Sequence, residues 1–103
     1  MDRPTIGIEP MRESTVEKHV NRFAEDHGIK SIKLNGPGER GKADRMFCKD
    51  GKAIFIELKR PGKRATELQV KWLCEMQALG FFANWTDSPG QAIMWIVQEF
   101  GLE

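Results

Sequence analysis

Val16, Val20, Phe23 and Ala24 recur at spacings of three and four, with His27 in phase, and the pattern predicts a helix over residues 11–27. Gly28 supplies its C-terminal stop. Ile29 to Leu34 mixes apolar and polar positions and reads as a strand. The segment NGPGERGKA, residues 35–43, is a loop. Two short runs follow, Asp44 to Lys49 and Lys52 to Lys59, separated by Asp50-Gly51. That dipeptide favours a two-residue type I′ hairpin turn. Met46 and Phe55 fall on one face of the hairpin, and Phe47, Ile54 and Ile56 on the other. Apolar residues on both faces predict a strand pair covered on both sides.

Arg60-Pro61-Gly62 ends the second of these strands. Thr66-Glu67-Leu68-Gln69 has the form of a capping box, followed by Leu68, Trp72, Met76 and Leu79 as a helical stripe ending at Gly80. Phe81 to Trp85 reads as a strand. Ser88-Pro89 opens a last helix, with Ile93, Ile96, Val97 and Phe100 as its buried side and Gly101 as its end. The expected order is α-β-β-β-α-β-α, a small mixed β-sheet flanked by helices in an α/β sandwich. Residues 1–10, with two prolines, are expected as an irregular arm, and residues 11–103 as one domain.

Composition changes this picture in one respect. The chain has 103 residues, 40% hydrophobic and 30% charged, with a net charge of +1. The balance conceals a basic centre: residues 28–72 carry +7, whereas residues 1–27 carry −2 and residues 73–103 carry −4. Such asymmetry fits a polyanionic partner or a solvated lysine-rich surface. No apolar run approaches the ~20 residues of a membrane helix, and the first residues do not read as a signal peptide. Two cysteines form neither a disulfide framework nor a zinc site, so a cytoplasmic, reducing setting is expected. The glycine-rich loop lacks the Lys-Ser/Thr of a P-loop, and nothing calls for an organic cofactor.

The hairpin turn fixes a register. With Asp50 and Gly51 as the loop, Lys49 faces Lys52, and counting outward brings Asp44 opposite Glu57. Directly opposed Cβ atoms lie about 4.5–5.5 Å apart. Two carboxylates there need a proton, a cation or wide exposure to offset their repulsion. Glu57 and Lys59 are two apart and share a face. An Asp with Glu-x-Lys on one sheet face suits metal-assisted phosphodiester hydrolysis, with Mg²⁺ or Mn²⁺ held by the carboxylates and Lys59 orienting water. Glu17, next to the apolar stripe of the first helix, could reach the edge of that cleft, with Glu13 one turn away as the substitute. Either could equally be solvated helix charge. Arg40, Lys42, Arg45, Arg60, Lys63 and Arg64 flank the acids and are candidate phosphate contacts. Trp72, Trp85 and Trp95 are expected as core or interface residues, and both histidines as structural or exposed.

Glu17, GKADR (41–45), IELKRPG (56–62), Gln69 and the glycine-terminated helix after it together resemble the VRR-Nuc (virus-type replication-repair nuclease) branch of the PD-(D/E)xK superfamily. The resemblance runs from about Met11 to Trp85. It implies a restriction-endonuclease-like core, Asp44 and Glu57 as metal ligands, and Lys59 as catalytic lysine. It further implies Glu17 as a helix-borne acid, a ligating carbonyl on Leu58, and a site role for Gln69. The capping box offers Gln69 a competing role. Ala43 stands where the family usually has proline, which supplies no ligand. The expected activity is a metal-dependent DNA endonuclease acting on branched substrates such as flaps or four-way junctions, in DNA repair. The expected state is a homodimer, with the last helix part of its interface, and the expected source a phage or prophage. The alternative class is a non-catalytic nucleic-acid-binding module or a subunit of a larger repair complex.

Overall fold

The computed structural model describes residues 12–35 and 41–102. The expected N-terminal arm, and Arg40 in the glycine-rich loop, lie outside them. The elements run α1 (Glu13–Asp26), β1 (Lys30–Lys33), β2 (Arg45–Lys49), β3 (Lys52–Leu58), α2 (Glu67–Ala78), β4 (Phe82–Thr86) and α3 (Pro89–Glu99). This is the order expected from the sequence.

The strands form one sheet in the order β1-β2-β3-β4. β1, β2 and β3 are successively antiparallel, and β4 lies parallel to β3. A parallel neighbour needs a crossover, and α2 supplies it, packing on one sheet face. Asp50 (φ 53°) and Gly51 (φ 80°) are both in the left-handed region, as a type I′ turn requires. The turn sets the register: Lys49 pairs with Lys52, Phe47 with Ile54, and Arg45 with Ile56.

β3 is buried on both faces from Ile54 to Leu58. On one side Phe47, Ile54, Ile56 and Leu58 pack with Val16, Val20 and Ala24 of α1 and Ala92 and Ile96 of α3. On the other, Phe55 packs with Ala43, Leu73 and Ala83, and Met46, Trp72, Met76 and Trp85 close around them. The hairpin's two apolar faces thus become two cores, one under each helical layer.

Helix ends follow local chemistry. α1 stops at Gly28 (φ 74°), where Gly28 N–H donates to Glu25 O and Ile29 N–H to Ala24 O, a Schellman arrangement. His27 lies exposed on that C-cap, stacked on Phe23, instead of extending the buried stripe. α2 departs more from expectation. It buries Leu73 with Trp72 and Met76 at its flanks, so its inward face is turned by about one position, and Leu68 and Leu79 are 60% and 72% exposed. The capping box is complete at Thr66: Gln69 N–H donates to Thr66 Oγ1 (3.2 Å) and Thr66 N–H to Gln69 Oε1 (2.9 Å).

Candidate active site

Backbone pairing positions the acids. The β2–β3 ladder ends at Arg45 and Ile56, and one further step places Asp44 beside Glu57. Asp44 is held by its own carbonyl, which accepts from Leu34 N–H at 2.9 Å. On the other side of β3, Lys59 N–H donates to Thr86 O at 2.9 Å, carrying the β3–β4 pairing one residue past the strand. Glu57 and Lys59 therefore stand on a strand end clamped from both sides, projecting to the face that α2 covers.

Glu57 is 1% exposed, a carboxylate inside the core. Its Oε2 lies 3.0 Å from Lys59 Nζ, and the Lys59 side chain is itself 14% exposed. Oε1 is buried and has no hydrogen-bond partner among the described residues. An ion taken out of water with half its acceptor capacity unused is costly. Burial and the neighbouring charge of Asp44 push the Glu57 carboxyl up to about 7, and Lys59 offsets only part of this. The Asp44 backbone gives a last, smaller offset without completing a hydrogen bond to Oε1.

Glu17 joins from α1. Burial, then a hydrogen bond with the Asp44 side chain and its charge, raise its carboxyl to about 7 against the pull of Arg45 and Lys33. Asp44 is thus the hub between two carboxyls that both hold protons more tightly than usual. Among the described residues no three Asp, Glu, His or Cys side chains close into a ready cation cage. The three acids stand as a pairwise-linked cluster, and Glu57 Oε1 is the unmet acceptor within it. Oxygen donors of this kind match a hard divalent cation. Leu58, between Glu57 and Lys59, is fully buried.

The basic candidates separate into two groups. Arg45 turns toward the layer of α1 and β1: its guanidinium donates to Ser31 Oγ at 3.4 Å, and Ser31 Oγ donates to Asn21 Oδ1 at 2.7 Å. Its Nε is buried and lacks a partner among the described residues. Arg60, Lys63 and Arg64 stay exposed on the loop after Lys59. That loop is shaped by Lys63 N–H donating to Arg60 O (3.0 Å) and Gly62 N–H donating to Asp87 Oδ2 (2.9 Å). A hollow of about 360 Å³ opens along Arg60, Pro61, Gly62 and Lys63. Lys42 is half-buried, and its carbonyl accepts from Asn35 Nδ2 at 3.4 Å, bridging the base of the glycine-rich loop.

Gln69 sits at the start of α2 with its Oε1 committed to the capping box, leaving its amide N–H groups. Sequence reasoning missed Asn21, Ser31, Asn35 and Asp87. Each acts through a neighbour distant in sequence, and a lone Asn or Ser carries no pattern of its own. Only the β1–β2 register, which sets Ser31 opposite Phe47 and beside Arg45, brings the first pair to light.

No protein-family model matches the chain. It is similar to a protein called "Putative nuclease p44" from Acyrthosiphon pisum secondary endosymbiont phage 1, at 37% identity over 71 residues. The match covers 68% of this chain and 76% of that protein. The fold is similar to a solved structure described as a VRR_NUC domain, with a TM-score of 0.72 and 22% identity, over 82% of this chain and 92% of that one.

Proposed function

The chain belongs to the same family as that phage protein and has the VRR-Nuc fold, and from this premise we propose that it is a divalent-metal-dependent nuclease cutting branched DNA. One observation carries the metal dependence. Glu57 is buried with Oε1 unpaired among the described residues, beside Asp44 and on the same cluster as Glu17. Asp44, Glu57, Glu17 and the Leu58 carbonyl would hold Mg²⁺ or Mn²⁺. Such an ion, when bound, neutralises charge at the phosphate and makes water a better nucleophile.

The chain's own groups supply the rest. Lys59, fixed through its backbone by Thr86 and through Nζ by Glu57, is aimed at the acid cluster and donates hydrogen bonds to water or to a phosphoryl oxygen. Asp44 fixes the orientation of Glu17. Arg45 draws on Glu17 from the α1 face while tied to Ser31, and Lys42, Arg60, Lys63 and Arg64 take neighbouring phosphates. Phosphate contacts of this kind bind by charge and shape and read no bases, which favours a branch over a sequence. A homodimer would place two such sites on two strands. The last helix supports it with Met94 at 55% exposure between half-buried Ile93 and Val97.

The test is a panel of linear, flap and four-way-junction DNAs incubated with Mg²⁺ or Mn²⁺. Cleavage should need the metal and vanish in Asp44→Ala and Glu57→Ala, with DNA binding kept. The basic centre, +7 over residues 28–72, favours a second reading, a DNA-binding module without catalysis. Folded protein that binds DNA and cuts none of the panel would establish it.

A further inference from the structure

Leu68, Lys71, Trp72 and Glu75 follow one another at i, i+3, i+4 and i+7 along α2, so they form a single stripe on its surface. The stripe does not face the core: Leu68, Lys71 and Glu75 are exposed, and only Trp72 is half-buried. With Gly41 and Lys42 it lines a groove of about 310 Å³ between α2 and the chain segment leading into Asp44. We propose that this groove is a nucleotide subsite, receiving the base and phosphate next to the one that is cut. It deepens the nuclease reading above and rests on it.

Three observations commit the groove to this occupant. The first is position. Lys42 is two residues from Asp44, and Trp72 stands against Phe55, which is two residues from Glu57 on the same face of β3. Two residues of extended chain span about 7 Å. Both walls of the groove are therefore one short step from an acid of the site. The second is the aromatic floor. Trp72 meets Phe55 with ring centroids 5.4 Å apart at 81°, and Phe55 meets Phe81 at 5.3 Å and 86°. This edge-to-face chain fixes Trp72 from the core side while part of its indole lines the groove. A pre-set aromatic surface loses little freedom when a base stacks on it, and every base has a face to offer.

The third is charge. Lys42 and Lys71 give the groove two cations suited to a phosphodiester, and Leu68 offers an apolar wall for a sugar or base. Glu75 lies one turn beyond Lys71 on the stripe. A carboxylate there repels phosphate and accepts from an exocyclic amino group, so the backbone runs at the lysine end and the base edge points to Glu75. Gly41 turns the loop against the stripe through a left-handed φ of 87°, which favours glycine there, and lies within ordinary contact of Leu68. α2's inward face is turned away from Leu68, and this groove is what the exposed leucine serves.

The test uses full-length protein, with Trp72→Leu and Lys71→Glu checked for folding by circular dichroism. On whichever DNA the wild type cuts, each variant should raise KM about tenfold, the scale of one lost stack or phosphate contact, with kcat within about twofold. Lys71→Ala should lower the salt dependence of binding by about one charge. In chelator, a short single-stranded oligonucleotide carrying 2-aminopurine should be quenched on binding wild type and not on binding Trp72→Leu. If Trp72→Leu fails to fold, Lys71→Glu and Lys71→Ala decide. Folded variants with wild-type KM, salt slope and quenching overturn the subsite and leave the nuclease reading intact. A wild type that cuts no DNA refutes the nuclease reading, and the proposal with it, whatever the quench.

Discussion

Replacing Glu57 by Gln should make the metal-free protein more stable at neutral pH, by an amount that grows with pH. The folded-state carboxyl titrates at about 7 against 4.5 when unfolded, chiefly because it is buried. At about 1.4 kcal/mol per unit, that difference is worth roughly 3 kcal/mol. The folded pKa is the higher one, so the stabilisation is complete below pH 4.5 and is lost as pH climbs through about 7. Across that window the unfolded chain ionises this group while the folded chain still holds the proton. Gln has nearly the same shape and nothing to titrate. The wild type and Glu57→Gln should therefore differ by a constant at acid pH, and the variant should gain roughly 3 kcal/mol on it by pH 8. Glu17, raised in the same direction, leaves a residual slope of the same sign in both proteins. Urea unfolding in chelator, followed by tryptophan fluorescence from pH 4.5 to 8, reads the difference. A gap that stays constant with pH, or closes as pH rises, would refute a buried, proton-holding Glu57.

Mg²⁺ at a hundred times its dissociation constant should raise wild-type stability by about 2.7 kcal/mol and leave Glu57→Gln unchanged, read as a shift in melting temperature. Equal shifts in both would place the ion elsewhere. Gln69→Glu keeps a capping-box side chain at N3, so thermal stability should hold; loss of cleavage would then mark a role of the Gln69 amide in the site, and full cleavage a purely structural one. Thr66→Ala should cost about 1 kcal/mol through the lost cap, with cleavage of the folded fraction unchanged. Lys63→Ala and Arg64→Ala should each reduce the salt slope of DNA binding by about one, uniformly across DNA sequences.

The acid pair was legible because a hairpin with an Asp-Gly turn leaves no freedom: one turn type fixes every pair back to Arg45–Ile56, and the acids are one step on. Which face each residue takes was legible for the same reason. Phe47 and Phe55, on opposite faces in the sequence pattern, sit in opposite cores. α2 was harder to read. Leu68 and Leu79 match a helical period as well as Leu73 does, and only the packing of α2 on Phe55 and Ala83 decides which stripe turns inward. Arg45 shows a second limit. A cation next to an acid pair reads as a phosphate contact, yet its side chain alternates to the α1 face of β2, where Ser31 and Glu17 meet it. The fully buried state of Glu57 was not readable either, because a charged residue in a strand predicts an edge to solvent until both neighbouring strands and α2 are in place.

The Asp50-Gly51 turn has a use in the laboratory. Five ladder pairs separate it from the acids, which at about 3.4 Å per residue is on the order of 17 Å. Its two residues are exposed and both hold left-handed φ angles, so a side chain on Gly51 would be strained although nothing stands within 4 Å of it. Gly51→Val is accordingly a remote lever: it would unsettle the register that brings Asp44 beside Glu57 without placing any new atom in the cleft, and so would show how far the chemistry depends on a turn at the other end of the sheet.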